Sequence, residues 1–149
     1  MSLSDKINED IKAAMKAREK ERLEALRNIK KVMIEARAAK GAGSELEDAE
    51  VLKIIQKLEK QGHDSAKIYN EQGRSDLYEQ EMAQIKIYES FLPAKLTDEE
   101  LTAVVKAIIE KTGASSIKDM GKVMGMASKE LAGIAEGKEI ADKVKALLQ

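Results

Sequence analysis

A stretch near the C-terminal end of the chain combines lysine with glycine at helical spacing. It reads SIKDMGKVMGMASKELAG at residues 116–133. Five of its residues share or border one stripe of a predicted helix: Lys118, Gly121, Lys122, Gly125 and Lys129. Each glycine inside a helix costs roughly 1 kcal/mol relative to alanine, but a missing side chain lets another backbone come close. This pattern therefore suggests non-covalent binding, in which the lysine ammonium groups contact the phosphates of an RNA strand.

The same stretch allows a second interpretation. Its opposite face carries the apolar residues of a core-facing stripe, namely Met120, Val123, Met124, Ala127 and Leu131. The glycines could let a neighbouring helix pack tightly, and the lysines could simply be solvated. Periodicity alone leaves both interpretations open.

Elsewhere the chain offers little for covalent or metal chemistry. His63 is the single histidine and cysteine is absent, so we expect His63 to be a surface residue and expect no metal site. Gly121-Lys122 is not the end of a phosphate-binding loop, because the upstream glycine is at Gly113 and Val123 follows the lysine. We therefore expect no nucleotide cofactor.

Ser115 and Ser116 are the only residues that suggest a nucleophile, in a glycine-serine context. A nucleophilic serine needs a fixed base and an oxyanion hole, and helix capping explains serines at this position without either. We expect no catalytic residue and no cofactor in this chain.

Composition restricts the remaining functions. Of 149 residues, 36% are charged, 43% are hydrophobic and 3% are aromatic, which is typical of an aliphatic, all-helical protein. The formal net charge of −1 provides no global basic field, so a polyanion site must be local and DNA is not an expected partner. With no long apolar run and no signal-peptide pattern, we expect a cytoplasmic protein without a membrane partner.

Helical periodicity and capping signals predict an all-α fold. Pro93, the only proline, divides it into a four-helix N-terminal domain, 1–93, and a three-helix C-terminal domain, 94–149. The inner face of the third helix is interrupted by the polar Gly62-His63. Helix starts are predicted at these capping residues: Ser2 or Ser4, Ser44, Ser75 or Asp76, Thr97 and Ser116. Stops are predicted at these glycines: Gly41, Gly43, Gly73 and Gly113.

The positions 11–40 are rich in lysine and arginine. The second predicted helix, which lies in this segment, has a basic outer face made of Arg22, Arg27, Lys30, Lys31 and Arg37. We expect this face to be either a solvated surface with scattered ion pairs or an additional RNA contact.

Four sequence elements resemble the YqeY family, in order and over nearly the whole chain. They are GRSDL at 73–77, Glu81, FLP at 91–93 and DMGKVM at 119–124. The C-terminal part, from about Lys95, also resembles the tail domain of the B subunit of the tRNA-dependent amidotransferase. Gln84 departs from the resemblance, because an acidic residue of an inter-helix ion pair is expected in that helix.

The resemblance implies a non-catalytic tRNA-associated module linked to tRNA-dependent amidotransfer. The expected tRNA-binding residues are Lys118, Gly121, Lys122, Gly125, Lys129 and Lys138. Two alternatives remain. One is an accessory factor of a carbon–nitrogen ligase complex that uses glutamine as amido donor, with an amidotransferase or an aminoacyl-tRNA synthetase as partner. The other is a structural interaction module, in which GRSDL and the glycine stripe only lock helices together and Arg74 pairs with an acid across the four-helix half. The residues of this structural motif are Gly73, Arg74, Asp76, Glu81 and Pro93.

Overall fold

A computed structural model describes all 149 residues and is helical throughout, without a strand, which confirms the all-α prediction. The seven α-helices are α1 (Leu3–Ala17), α2 (Lys20–Lys40), α3 (Asp48–Glu71), α4 (Ser75–Phe91), α5 (Asp98–Thr112), α6 (Met120–Glu130) and α7 (Gly137–Leu148). A single 3₁₀ turn, Ile117–Asp119, precedes α6. The chain divides into two compact units, the N-terminal unit Met1–Leu92 and the C-terminal unit Pro93–Gln149. None of the helices combines the length and the apolar character needed to cross a membrane.

The core of the N-terminal unit is aliphatic. Its largest fully buried side chains come from all four helices: Ile7, Leu26, Ile29, Met33, Val51, Ile55 and Ile85. Burying each of these stabilises the unit by about 1.5–3 kcal/mol. Within the unit, α3 and α4 form the most extensive helix–helix contact.

Gly62 lies in this contact and is buried. A Cβ atom at Gly62 would lie 2.9 Å from Cγ1 of Ile85, a side chain with no exposed surface. The glycine thus allows α3 and α4 to approach more closely than any larger residue would permit. The prediction that Gly62 interrupts the inner face of the third helix is wrong, because α3 runs unbroken to Glu71 and Gly62 is part of that face.

A polar contact joins α2 to α4. Asn28 Nδ2 donates to Gln84 Oε1 at 3.3 Å and to the hydroxyl oxygen of Tyr88 at 3.0 Å. Both acceptors are buried, so this bridge satisfies groups that would otherwise be costly to remove from water. At Gln84, a hydrogen bond between side-chain amides therefore takes the place of the inter-helix ion pair that the resemblance implied.

Two of the predicted helix starts are confirmed. Ser2 Oγ accepts from the amide of Asp5 at 3.1 Å, and Thr97 Oγ1 accepts from the amide of Glu100 at 3.1 Å. In both, the acidic side chain in turn accepts a hydrogen bond from the backbone amide of the capping residue, which completes a capping box. Gly113 ends α5 in the left-handed conformation, with φ of 71°, as predicted.

Three other predicted starts are wrong. Ser44 does not cap α3, which begins at Asp48 after Glu47, whose amide donates to Glu50 Oε2 at 2.7 Å. Neither Ser75 nor Asp76 is a cap, since both lie within the first turn of α4. Ser116 precedes the 3₁₀ turn, and α6 begins only at Met120.

The C-terminal unit has its own aliphatic core. Its buried side chains come from all three helices and from the segment between α6 and α7: Leu101, Val105, Ile108, Val123, Ala127, Leu131, Ala135, Ile140, Val144 and Leu148. The three buried residues near α6, at 123, 127 and 131, are among those predicted for the core face. Met120 and Met124 are only partly buried. Lys143 Nζ lies 2.7 Å from Asp98 Oδ1 and links α7 to the start of α5.

Candidate nucleic-acid interface

The outward side of α6 is open. Val123 and Ala127 have no exposed surface and fix which side of the helix faces the core. Gly121 and Gly125 are exposed, and a Cβ atom at either position would meet no heavy atom within 4 Å. The two glycines therefore do not accommodate a neighbouring helix of the C-terminal unit, which removes the packing explanation for them within that unit.

Four exposed lysines accompany these glycines. Lys122 and Lys129 lie on α6 with Gly125 between them, at the spacing of a single helix face. Lys118 lies in the 3₁₀ turn, and Lys138 in the first turn of α7. None of the four forms an ion pair or hydrogen bond through its side chain, so their charges are available to a ligand. We call Lys118, Gly121, Lys122, Gly125 and Lys129 the lysine–glycine face.

One sequence expectation about this face is wrong. The stripe was predicted on one continuous helix beginning at Ser116, which would put Lys118 one turn before Lys122. Instead Lys118 belongs to the 3₁₀ turn, whose side chains follow a period of 3.0 residues and not 3.6. Only the part of the stripe from Lys122 to Lys129 keeps α-helical spacing.

The start of α6 carries charges of both signs. No side chain caps this helix, and its first turn contains Lys122 and no acid. Asp119 immediately precedes the helix, but its Oδ2 accepts from the amide of Ser115 at 3.0 Å. A lysine at the positive end of a helix dipole is locally unfavourable, whereas the same arrangement attracts an anion.

The basic face of α2 is partly neutralised. Arg22 lies 3.6 Å from Asp10 and 3.7 Å from Glu19, and Lys40 lies 3.0 Å from Glu50. Arg37 Nε donates to the backbone oxygen of Ser44 at 3.3 Å. Three basic side chains of this face form no such contacts: Arg27, Lys30 and Lys31.

The GRSDL segment begins in the turn between α3 and α4 and continues into the first turn of α4. Gly73 has φ of 70°, a conformation that favours glycine. Arg74 donates from Nε and Nη2 to the two carboxylate oxygens of Asp76, at 3.2 and 3.1 Å. These hydrogen bonds hold the pKa of Asp76 below its usual value. The expectation that Arg74 pairs across the helices is wrong, because its partner is two residues away in the same exposed turn.

The other residues carried by the resemblance lie apart from this turn. Glu81 is half-buried on α4, and burial, with a smaller contribution from the charge of Glu24, raises its pKa. Pro93 is exposed and is the first residue of the C-terminal unit. These positions thus form no common site.

One group of potential ligand side chains was not predicted from the sequence. Glu59 and His63 on α3 and Glu89 on α4 bring one ligand atom each within 4.8 Å of one another. The spacing of Glu59 and His63, four residues apart on one helix, was a signal that could have been noticed. The contribution of Glu89 depends on how α3 and α4 pair, which no local pattern reveals.

Comparison with known proteins agrees with the resemblance found in the sequence. A family model described as Yqey-like protein matches residues 4–148, nearly the whole chain. No curated protein matches the chain.

Proposed function

The chain belongs to the YqeY family, and we propose that it is a non-catalytic module that binds tRNA through the lysine–glycine face and Lys138. The observation that carries this proposal is the combination of two uncovered helix glycines with lysines that have no partner within the chain. The glycines cost helix stability, and nothing inside the protein makes use of the space they leave.

A sugar–phosphate backbone fits this surface chemically. Lysine ammonium groups meet phosphates as point charges, and an exposed helix backbone allows the strand to come close. Duplex RNA is recognised largely through its shape, its phosphates and its 2′-hydroxyl groups, so no base-reading side chains are required. Because the net charge of the protein is −1, attraction must come from this local surface.

Salt dependence is the first measure of such binding. Each phosphate contact releases condensed counterions, so three or four lysine contacts predict a slope of about −3 for log K against log salt. Gel-shift or filter-binding titrations of the full chain with tRNA, at several KCl concentrations, would measure this slope.

Charge reversal tests the location of the site. The double variant Lys118→Glu with Lys122→Glu is expected to abolish detectable tRNA binding and to flatten the salt slope. The matched control is Lys57→Glu with Lys67→Glu, two exposed lysines of α3 outside the basic surfaces, and it should bind as the wild type does. Absence of binding at low salt in the wild type, or equal loss in both double variants, would contradict the proposal.

The link to amidotransfer rests on the resemblance of the C-terminal part to the amidotransferase tail domain. On this proposal the protein delivers or holds tRNA for a glutamine-dependent amidotransferase or an aminoacyl-tRNA synthetase. Co-purification of such an enzyme with tagged protein, lost when the sample is treated with ribonuclease, is the expected result. A complex that survives ribonuclease would instead favour the accessory-subunit alternative.

A further inference from the structure

Three potential ligand groups meet on the surface of the α3–α4 contact. A carboxylate oxygen of Glu59, an imidazole nitrogen of His63 and a carboxylate oxygen of Glu89 all lie within 4.8 Å of one another. His63 Nε2 lies 3.6 Å from Glu89 Oε1. In a tetrahedral site with metal–ligand distances near 2.1 Å, ligand atoms are separated by about 3.4 Å, so small side-chain movements would suffice.

The packing of the two helices holds these groups together. Glu59 and His63 are one turn apart and project from the same side of α3. Gly62, next to His63, lets Ile85 of α4 approach α3, and Glu89 follows Ile85 by one turn. The same close contact that requires glycine therefore brings the third ligand group to the other two.

The three groups differ in exposure in a way that suits an ion arriving from solvent. Glu59 is 5% exposed, whereas the side chains of His63 and Glu89 are about half exposed, at 50% and 51%. One carboxylate is thus nearly buried, and the other two potential ligand groups are accessible to solvent. A carboxylate in a buried position interacts more strongly with a cation than one in water does.

We propose that Glu59, His63 and Glu89 form a binding site for a divalent transition-metal ion, for which Zn²⁺ is the best fit. Imidazole with carboxylate is a normal ligand set for Zn²⁺, while Mg²⁺ and Ca²⁺ prefer oxygen ligands alone. Water completes the coordination. The bound ion cross-links α3 and α4 and stabilises the N-terminal unit, independently of any RNA bound at the lysine–glycine face.

Calorimetric titration of the full chain with ZnCl₂, after treatment with EDTA, tests the site directly. One ion per chain is expected to bind. At a free zinc concentration ten times the dissociation constant, the melting temperature should rise by about 6 °C for a unit of this size, and EDTA should reverse the rise. MgCl₂ at the same concentration should leave the melting temperature unchanged.

Two variants locate the ligands. His63→Ala and Glu89→Gln each remove one half-exposed ligand and are expected to weaken zinc binding at least about tenfold. The matched control is Glu79→Gln, which removes an exposed carboxylate of α4 outside the cluster. It should bind zinc with unchanged affinity.

Each protein is compared with itself, in EDTA and in zinc, so that a change in intrinsic stability does not affect the result. If either variant failed to fold in EDTA, the other would still decide the question. A zinc-induced rise of equal size in wild type and in a folded ligand variant would overturn the proposal. So would weakening in Glu79→Gln equal to that in Glu89→Gln, since that would indicate non-specific binding to surface acids.

Discussion

Glycine inside a helix has opposite environments in the two units of this protein. In the N-terminal unit, Gly62 is buried where α3 meets α4, and a single added carbon would lie 2.9 Å from Ile85. In the C-terminal unit, Gly121 and Gly125 face open space, with no heavy atom within 4 Å of an added carbon. All three weaken their helix by the same local mechanism, but only Gly62 gains a packing contact within the chain.

The difference distinguishes a glycine that allows two helices of the chain to pack closely from glycines that have no packing role within their unit. At Gly62 the conformational cost is offset by tighter helix packing. At Gly121 and Gly125 the chain itself provides no compensation, in a unit small enough for every kcal/mol to matter. Residues that weaken a helix without improving its packing are candidates for a ligand-binding role, since departures from local structural preferences are expected at functional sites.

The largest expected effect is that of Gly62→Val. Three added carbons in a fully packed contact should lower the free energy of unfolding by about 2–3 kcal/mol. The same substitution at Gly125 serves as the matched control and should cause no loss, because that position is open. Urea denaturation followed by circular dichroism measures both. Equal effects at the two positions would contradict this expectation, because they would show that the close contact with Ile85 does not make Gly62 more sensitive than Gly125 to an added side chain.

A compensating change sharpens this test. Ile85→Ala removes the side chain that Gly62→Val would strike, so the double variant should be more stable than the sum of the two single effects implies. A coupling energy of about 1 kcal/mol or more in a double-mutant cycle is expected. Strict additivity would contradict the proposed contact.

The second prediction concerns Gly125→Ala. Alanine should raise the free energy of unfolding of the C-terminal unit by about 1 kcal/mol, because it improves helix propensity and meets no neighbour. If a sugar–phosphate strand uses the space at this glycine, the more stable variant should also bind tRNA more weakly. Unfolding curves and tRNA titrations on the same protein separate the two effects. A variant with increased stability and unchanged affinity would show that Gly125 has no role in binding.

The third prediction is a pH effect at Glu81, whose Oε2 lies 3.6 Å from where a Cβ of Gly62 would be. Burial raises the pKa of Glu81 in the folded state, so its ionisation disfavours folding. The favourable contribution exists below the ordinary pKa of glutamate and is lost as pH rises through the raised pKa. Glu81→Gln should therefore equal the wild type in stability near pH 4 and exceed it at pH 7, by less than about 1 kcal/mol.

Thermal unfolding at several pH values checks this expectation. Glu79→Gln, at an exposed position of the same helix, should show no such pH-dependent difference. A stability difference for Glu81→Gln that stays constant from pH 4 to pH 7 would rule out a raised pKa as its cause.

The sequence predicted those features whose cause is local. Thr97 caps α5 as expected because its partner Glu100 is three residues away, and Gly113 stops α5 because glycine adopts the left-handed conformation without steric strain. Glu47 was missed as the residue before α3, since glutamate is a poor capping residue and Ser44 is a good one. What stabilises the actual start is Glu50, which accepts from the amide of Glu47 and pairs with Lys40 of the preceding helix.

Features that depend on the pairing of helices could not be predicted in this way. Gly62 looks like a break in an apolar stripe until Ile85 is placed against it. His63 looks isolated until Glu89 is brought within 3.6 Å by the same contact. The lysine–glycine face lies between these cases, because its residue types were identified from sequence, while the openness of Gly121 and Gly125 required the structure.

The smallest expected effect is that of Arg74→Ala. Its side chain is exposed and pairs only with Asp76 in the same turn, and exposed ion pairs contribute little to stability. The urea midpoint should therefore stay within the error of the measurement. Gly73→Ala, the neighbouring substitution, should cost about 1 kcal/mol, because alanine is strained at a φ of 70°.

These two variants test whether the GRSDL segment has a structural role, like Gly62, or an RNA-binding role, like that proposed for the lysine–glycine face. If Arg74→Ala leaves both stability and tRNA affinity unchanged, the segment has a structural role only, and Gly73 is the residue that contributes to stability. If the fold is intact but tRNA binding weakens, the Arg74 guanidinium contacts RNA, and the interface includes the N-terminal unit. A clear loss of stability would contradict the local Arg74–Asp76 pairing, because only a partner outside the turn could account for it.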